Sequence, residues 1–241
     1  MLAESVVADF KGKARFVSEN YGESQLAKRF GVTFYPVIFV DDVLVATPKD
    51  FYNVDEKATG RYIPFKTQPS HDRFRADLSR MIELELAGKK DVARGEAAPG
   101  KMEAVAILPD VTITDLDGKR LTRADLEGRV VLLEMWATWC PPCRSTLGWL
   151  GELKKRYGDR LAVVAIAVKS EEPAVRKLAG ELQLPLHWAM ATPELTRAFG
   201  DVAAVPTLFL FGRDGKSAGA FYGAPPTLHP EAEAKLASLL K

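Results

Sequence analysis

The chain has 241 residues, 47% of them hydrophobic and 27% charged, with 33 basic against 32 acidic side chains. That length accommodates one large domain or two modest ones, and charges that nearly cancel give no electrostatic basis for nucleic acid or an anionic membrane as the main partner. The longest apolar runs, over 161–168 and 202–211, fall short of the ~20 residues of a bilayer span, so no membrane span is expected.

In chain order, residues 1–10 carry no basic start followed by an apolar core and do not read as a secretory signal; taken literally, that places the chain in the cytoplasm. Residues 25–30 predict a short amphipathic helix ending in Phe30-Gly31. Pro36 and an apolar strand over 37–41 follow, forming a hairpin with 43–46. An aromatic and polar insertion over 48–70, with Phe51, Tyr52, Tyr62 and Phe65, is expected as a binding loop or as a lid over that hairpin. A helix carrying Phe74, Leu78, Met81 and Ile82 closes this first domain, residues 1–88. Residues 89–103 are charged, contain Gly95, Pro99 and Gly100, show no sustained periodicity and read as a linker.

The second domain, 104–241, alternates strand and helix signals. A hairpin over 110–114 and 120–121 turns at Asp117-Gly118. Residues 129–136 form a continuous apolar run broken only by Glu134, as in a strand buried on both faces. A helix over 142–157 turns Leu147, Leu150, Leu153 and Tyr157 toward one face. A strand over 161–168, helices over 171–182 and 192–199, and a hairpin of 207–211 with 217–222 follow. A last helix starts at Pro230, its stripe made of Ala232, Leu236, Leu239 and Leu240. Strands alternating with helices predict an α/β layered fold. The run from Leu26 to Val40 is matched by Leu195 to Leu210, each a helix ending in Phe-Gly, then a turn, a proline and an apolar strand. Two copies imply a duplicated fold rather than a solenoid.

The only two cysteines are Cys140 and Cys143, separated by Pro141 and Pro142. A disulfide framework needs more cysteines, spaced farther apart. A structural zinc needs four ligands, and His71, His187 and His229 are scattered, so no metal is expected. The pair stands where a buried strand ends and a helix begins. At a helix N-terminus, unpaired N–H groups and the macrodipole favour a negative sulfur, and the thiolate is the nucleophile. A second cysteine one turn later can resolve the mixed disulfide that the first forms. The intervening prolines remove amide donors.

The run Trp136-Ala137-Thr138-Trp139-Cys140-Pro141-Pro142-Cys143-Arg144 resembles the active site of the TlpA/ResA-like branch of the thioredoxin superfamily. The likeness extends over 104–241 through the preceding hairpin, the insert over 171–190 and Val205-Pro206-Thr207. It implies a thioredoxin fold, a central mixed sheet flanked by helices, with an N-terminal hairpin and a TlpA-like insert. It implies a thiol–disulfide oxidoreductase without cofactor, working outside the cytoplasm, in the periplasm, on protein thiols and disulfides such as those of apocytochromes, with a separate redox partner protein. It further implies a cis bond before Pro206, which presents the Val205 backbone to a substrate chain and keeps metal ions from the thiols. Trp139, Pro141 and Pro142 complete the substrate-contacting surface. From the residues alone, Pro206 also reads as a strand-start proline.

Glu134 occupies the place where thioredoxins carry a buried acid and TlpA-like proteins often carry asparagine. Buried without a partner, its pKa would rise, suiting it to take a proton from Cys143; a carboxylate that reaches water or pairs with a lysine is the alternative. Gly148 stands where the family has a helix-kinking proline. Trp136 and Trp139 are expected to pack beside the motif without a chemical role, and His187 to be a structural residue of the insert. The first domain resembles the back half of a thioredoxin fold. Residues 3–11 would end the active-site helix, 15–19 would form a central strand, and Tyr35-Pro36 would be a cis bond. Its opening strand and cysteine motif are missing, so it is an incomplete thioredoxin-like domain or the chain begins inside one, and partner docking or dimer contact is its expected work. Two other functions remain: a thiol peroxidase, which would need Thr where Ala137 stands, and a non-catalytic protein-binding module.

Overall fold

The computed structural model describes residues 2–19, 24–30, 32, 36–51, 60–97, 105–200, 202, 204–224 and 227–241. The chain divides into two units, Met1–Met102 and Glu103–Lys241.

The first unit contains helices α1 (Leu2–Ala8) and α2 (Gln25–Arg29), a hairpin of β1 (Ile38–Val40) and β2 (Val43–Ala46), then α3 (Pro48–Phe51), α4 (Gln68–Leu86) and α5 (Lys90–Ala97). Ser24 caps α2 by accepting from the Ala27 N–H at 2.8 Å. The expected strand over 15–19 is absent: this stretch has no regular structure, Val17 is 45% exposed, and the unit's sheet is β1 and β2 alone among the described residues. Glu19 instead accepts from the Ser24 hydroxyl at 2.6 Å and the Leu26 N–H at 3.1 Å, serving the start of α2. The Tyr35-Pro36 bond lies outside the described residues.

The aromatic insertion packs inward. Phe51 and Tyr62 are buried with Phe74, Leu78 and Ile82, and Phe65 packs against them. The rings of Phe51 and Phe65 meet edge-on at 5.1 Å and those of Tyr62 and Phe74 at 5.2 Å, the geometry that aromatic quadrupoles favour. Tyr52 lies outside the described residues. The sequence expected as an aperiodic linker over 89–103 begins instead with α5. Its buried residues are Ala93 and Ala97, four apart on one face, packed with Val43, Val45, Met81 and Leu84. Lys90 fastens its start to the hairpin turn through Asp41 at 2.8 Å and Asp42 at 2.7 Å. Residues 98–103 lie outside the described residues.

The second unit opens with a short hairpin, β3 (Ile113–Thr114) and β4 (Arg120–Leu121), and a helical turn α6 (Arg123–Leu126) held by a Thr122–Asp125 capping box. Then come β5 (Val130–Trp136), α7 (Pro141–Tyr157), β6 (Leu161–Ala167), α8 (Glu172–Leu182), β7 (His187–Met190), α9 (Pro193–Ala198), β8 (Thr207–Phe211), β9 (Ser217–Tyr222) and α10 (Leu228–Leu239). The sheet order is β7-β6-β5-β8-β9. Strands β5, β6 and β7 are parallel, whereas β8 runs antiparallel to β5 and β9 to β8. This is the mixed α/β sheet of a thioredoxin fold.

Every residue of β5 and β6 is buried, which is why both read as apolar runs, broken only by Glu134 in β5; each buried Leu, Val or Ile side chain contributes about 1.5–3 kcal/mol. On one face, Val130, Leu132, Leu208 and Leu210 pack with Leu150 and Leu153 of α7 and with Leu228, Ala232 and Leu236 of α10. The insert supplies α8 and the edge strand β7. There His187 Nδ1 lies 3.3 Å from Asp115 Oδ2, tying that edge to the β3–β4 hairpin, a structural place for this histidine. Helix α7 runs without interruption past Gly148.

Candidate active site

The sheet topology assembles one end of the second unit. Strand β5 delivers residues 137–140 at its C-terminal end. Strand β6, parallel to it, brings residues 168–170 to the same end, and β8, antiparallel, begins there after residues 204–206. The turn between β5 and α7 is closed by the Cys140 N–H donating to the Ala137 carbonyl at 3.1 Å.

Cys140 is the N-cap of α7, with φ −105° and ψ 97°, and its Sγ accepts from the Cys143 N–H at 3.3 Å. Cys140 and Cys143 form a disulfide with Cα atoms 5.4 Å apart. Cys140 is 5% exposed and Cys143 fully buried, so of the two residues only the first retains any exposure. Pro141 and Pro142 are exposed at the first two helical positions and carry no N–H. Trp139 presents its ring at the rim, 61% exposed. Its indole N–H donates to the Lys169 carbonyl at 2.9 Å, while the Thr138 N–H donates to Ser170 Oγ at 3.0 Å.

From the β8 side, the Val205–Pro206 peptide bond is cis. Val205 is half-buried and Pro206 buried. The loop is secured by the Thr207 hydroxyl donating to the Ala204 carbonyl at 2.8 Å and by the Gly223 N–H donating to the Pro206 carbonyl at 2.7 Å.

Glu134 is fully buried, and neither carboxylate oxygen has a hydrogen-bond partner among the described residues. Laterally it is paired with Ala165 on β6 and Leu208 on β8. Alternation along β5 puts it on the face of Leu132 and Trp136, the face covered by α7 and α10. With Ala165 and Leu208 beside it and no hydrogen bond to its carboxylate among the described residues, burial pushes its pKa well above the ordinary carboxylate value of 4.5. Trp136 meets Trp188 edge-on at 5.5 Å. Among the described residues no cluster of three or more His, Cys, Asp or Glu side chains is arranged to hold a metal ion, and no helix is long and apolar enough to cross a membrane.

The structure therefore brings Cys140, Cys143, Trp139, Pro141, Pro142, Val205 and Pro206 to one end of the sheet, with Glu134 in the strand behind them. The sequence reading missed Lys169 and Ser170, which lie 30 and 32 residues from their partners; no local pattern links positions so far apart.

The family model for Redoxin matches residues 103–236. The thiol-disulfide oxidoreductase ResA of Bacillus cereus is 33% identical over 119 residues, covering 48% of this chain and 68% of that protein. The thioredoxin-like protein YneN of Bacillus subtilis is 40% identical over 110 residues, 44% of this chain and 64% of that protein. A crystal structure of a thiol:disulfide interchange protein of the thioredoxin family from Chlorobium tepidum is similar with a TM-score of 0.51 and 27% identity, covering 59% of this chain and all of that one.

Proposed function

We propose that this chain, which belongs to the Redoxin family and is a ResA-like thiol–disulfide oxidoreductase, exchanges disulfides with protein clients through Cys140 as attacking sulfur and Cys143 as resolving sulfur. The observation that carries the assignment is the asymmetry of the pair: Cys140 is the N-cap of α7 and keeps a residual 5% exposure, whereas Cys143 is wholly buried one turn later.

In the reducing direction the Cys140 thiolate attacks one sulfur of a client disulfide, forming a mixed disulfide and releasing a client thiolate. Cys143 then gives up its proton and attacks Cys140 Sγ. The Cys140–Cys143 disulfide forms, and the second client sulfur leaves as a thiolate and takes up a proton. Two electrons pass from the chain to the client, and a partner dithiol restores the reduced pair. The reverse sequence oxidises a client dithiol. Glu134 is the acceptor for the Cys143 proton, because burial moves the proton affinity of its carboxyl toward that of a thiol. Trp139, Pro141 and Pro142 form one side of the client surface and Val205-Pro206 the other, with the Val205 backbone pairing the client strand.

The thioredoxin-like reading of the first unit rests on its order of helix, proline, hairpin and helix. That unit contains neither cysteine, and docking of a partner is its role. Work outside the cytoplasm, in the periplasm, and apocytochromes among the clients follow from family resemblance. The peroxidase reading is disfavoured by Ala137, buried and without a hydroxyl where that chemistry needs threonine.

Insulin reduction driven by dithiothreitol tests the assignment. Cys140→Ser abolishes turnover, Cys143→Ser accumulates a mixed disulfide, and Glu134→Gln slows resolution at neutral pH. Undiminished turnover in Cys140→Ser overturns the assignment of the attacking sulfur.

A further inference from the structure

Three hydrogen bonds converge on the two residues that immediately precede Cys140. The Thr138 N–H and the Thr138 hydroxyl both donate to Ser170 Oγ, at 3.0 and 3.2 Å, and the Trp139 indole donates to the Lys169 carbonyl at 2.9 Å. Ser170 spends its own proton on the Val168 carbonyl at 3.0 Å, so its oxygen is free to accept twice and the network is fully assigned. The Val168 N–H in turn donates to the Trp136 carbonyl at 2.8 Å, continuing the β5–β6 ladder up to the clasp. Lys169 adopts a left-handed backbone with φ +43°, uncommon for a residue with a side chain. That turn of the backbone accompanies the approach of its carbonyl to the indole.

A bond made to satisfy a buried donor would need no functional account. This one is different. Trp139 is 61% exposed and could give its N–H to water, whereas Trp136 and Trp149 bury their indole N–H groups with no partner among the described residues. The bond therefore serves orientation. We propose that Ser170 is a positioning residue for disulfide exchange: with the Lys169 carbonyl it clasps Thr138 and Trp139, and so fixes the turn that points Cys140 Sγ out of the helix N-terminus. The inference rests on Cys140 being the attacking sulfur. Ser170 does not touch the reacting atoms; it acts through the backbone of residues 138–140.

The test compares the wild type with Ser170→Ala and Ser170→Thr. It reads the second-order rate of the reduced protein with insulin and with the small disulfide dithionitrobenzoate, alongside the melting temperature. Ser170→Ala should exchange about fivefold more slowly with both disulfides, the rate equivalent of losing its two bonds to Thr138 at the lower end of the hydrogen-bond range, and Ser170→Thr, which keeps the hydroxyl, should restore the rate. Wild-type rates in Ser170→Ala, or a loss that threonine leaves unrepaired at unchanged melting temperature, would overturn the clasp. If Ser170→Ala does not fold, Thr138→Val, which removes only the second hydroxyl bond, should show a loss of about twofold, and wild-type exchange in it would equally overturn the clasp. Failure of the underlying assignment looks different: a wild type inert toward insulin, or full exchange by Cys140→Ser, removes Cys140 as the nucleophile whatever Ser170 does.

Discussion

The backbone amide of Cys143 donates to Cys140 Sγ at 3.3 Å across a helix start in which neither intervening residue has an N–H. An N-cap side chain ordinarily draws on the amides of the second and third helical positions; here Pro142 silences one of them. The thiolate of the reduced pair is thus held by fewer donors than the helix terminus could offer. Pro142→Ala restores an amide at that position and should stabilise the thiolate by about 1.5 kcal/mol, the lower end of the range for a hydrogen bond to a charged group. Stabilising the reduced form makes the couple more oxidising, so its potential should rise by about 30 mV. Equilibration with glutathione buffers measures this, and an unchanged or lower potential would show that the missing amide does not tune the site.

Glu134 makes stability depend on pH in a direction set by its burial. Its pKa in the folded chain lies well above the ordinary 4.5, so above that value the folded state holds a proton that the unfolded state has released. Stability is then fully present below the unfolded pKa and is lost as pH rises through the folded one. Glu134→Gln removes the titration. Melting temperatures of the oxidised proteins should run parallel below the unfolded carboxyl value of 4.5, and the wild type should fall relative to the variant as pH rises above it. Parallel curves throughout would mean that the carboxyl is solvated.

The strands that carry this acid were plain in the sequence because total burial leaves no polar alternation to interpret: β5 and β6 are apolar at every position but Glu134. The cysteine helix was equally plain, since its stripe is leucine. Helix α5 was invisible for the opposite reason. Its buried face is Ala93 and Ala97, and alanine in a run of charges looks like a linker. Residues 15–19 failed as a strand because composition cannot supply a neighbouring ladder. Strand β7, with His187 paired to Asp115 across 72 residues, and the clasp at Ser170 are products of topology. The capping box at Thr122 and Asp125 was a local signal that the sequence reading overlooked.

The first unit carries a buried charge pair that no sequence spacing announces. Asp50, 2% exposed, accepts from Arg61 Nε at 2.7 Å and from the Thr47 N–H at 2.8 Å, while Arg61 also donates to the Ala97 carbonyl at 3.0 Å and to the Val45 carbonyl. One guanidinium thus joins α3, β2 and the end of α5. Arg61→Ala leaves the carboxylate buried without its cation and should destabilise by about 3–5 kcal/mol, whereas Arg61→Ala with Asp50→Ala should cost less than the single change. All four tryptophans, Trp136, Trp139, Trp149 and Trp188, lie in the second unit, so hydrogen exchange of peptides covering 43–51 and 93–97 is the appropriate readout. Native-level protection of those peptides in Arg61→Ala would count against the pair as a structural tie.

Helix α7 holds two glycines three residues apart whose replacement should have opposite consequences. At Gly148 a Cβ would meet nothing within 4 Å, whereas at Gly151 it would lie 2.5 Å from Leu184 Cδ2 and 3.2 Å from its Cγ. In both places alanine gains about 0.5–1 kcal/mol of helix propensity. Gly148→Ala should keep that gain, raising the melting temperature without affecting exchange, because the helix already runs straight through the position. Gly151→Ala forces the half-buried Leu184 from its seat, and overpacking of this kind costs about 1–3 kcal/mol. The net effect is a protein no more stable than the wild type, and less stable than Gly148→Ala by about 1 kcal/mol or more. Thermal unfolding of the two oxidised variants decides the point. Equal stabilisation would show that Leu184 rotates away freely and that α7 is not closely packed against the segment following α8.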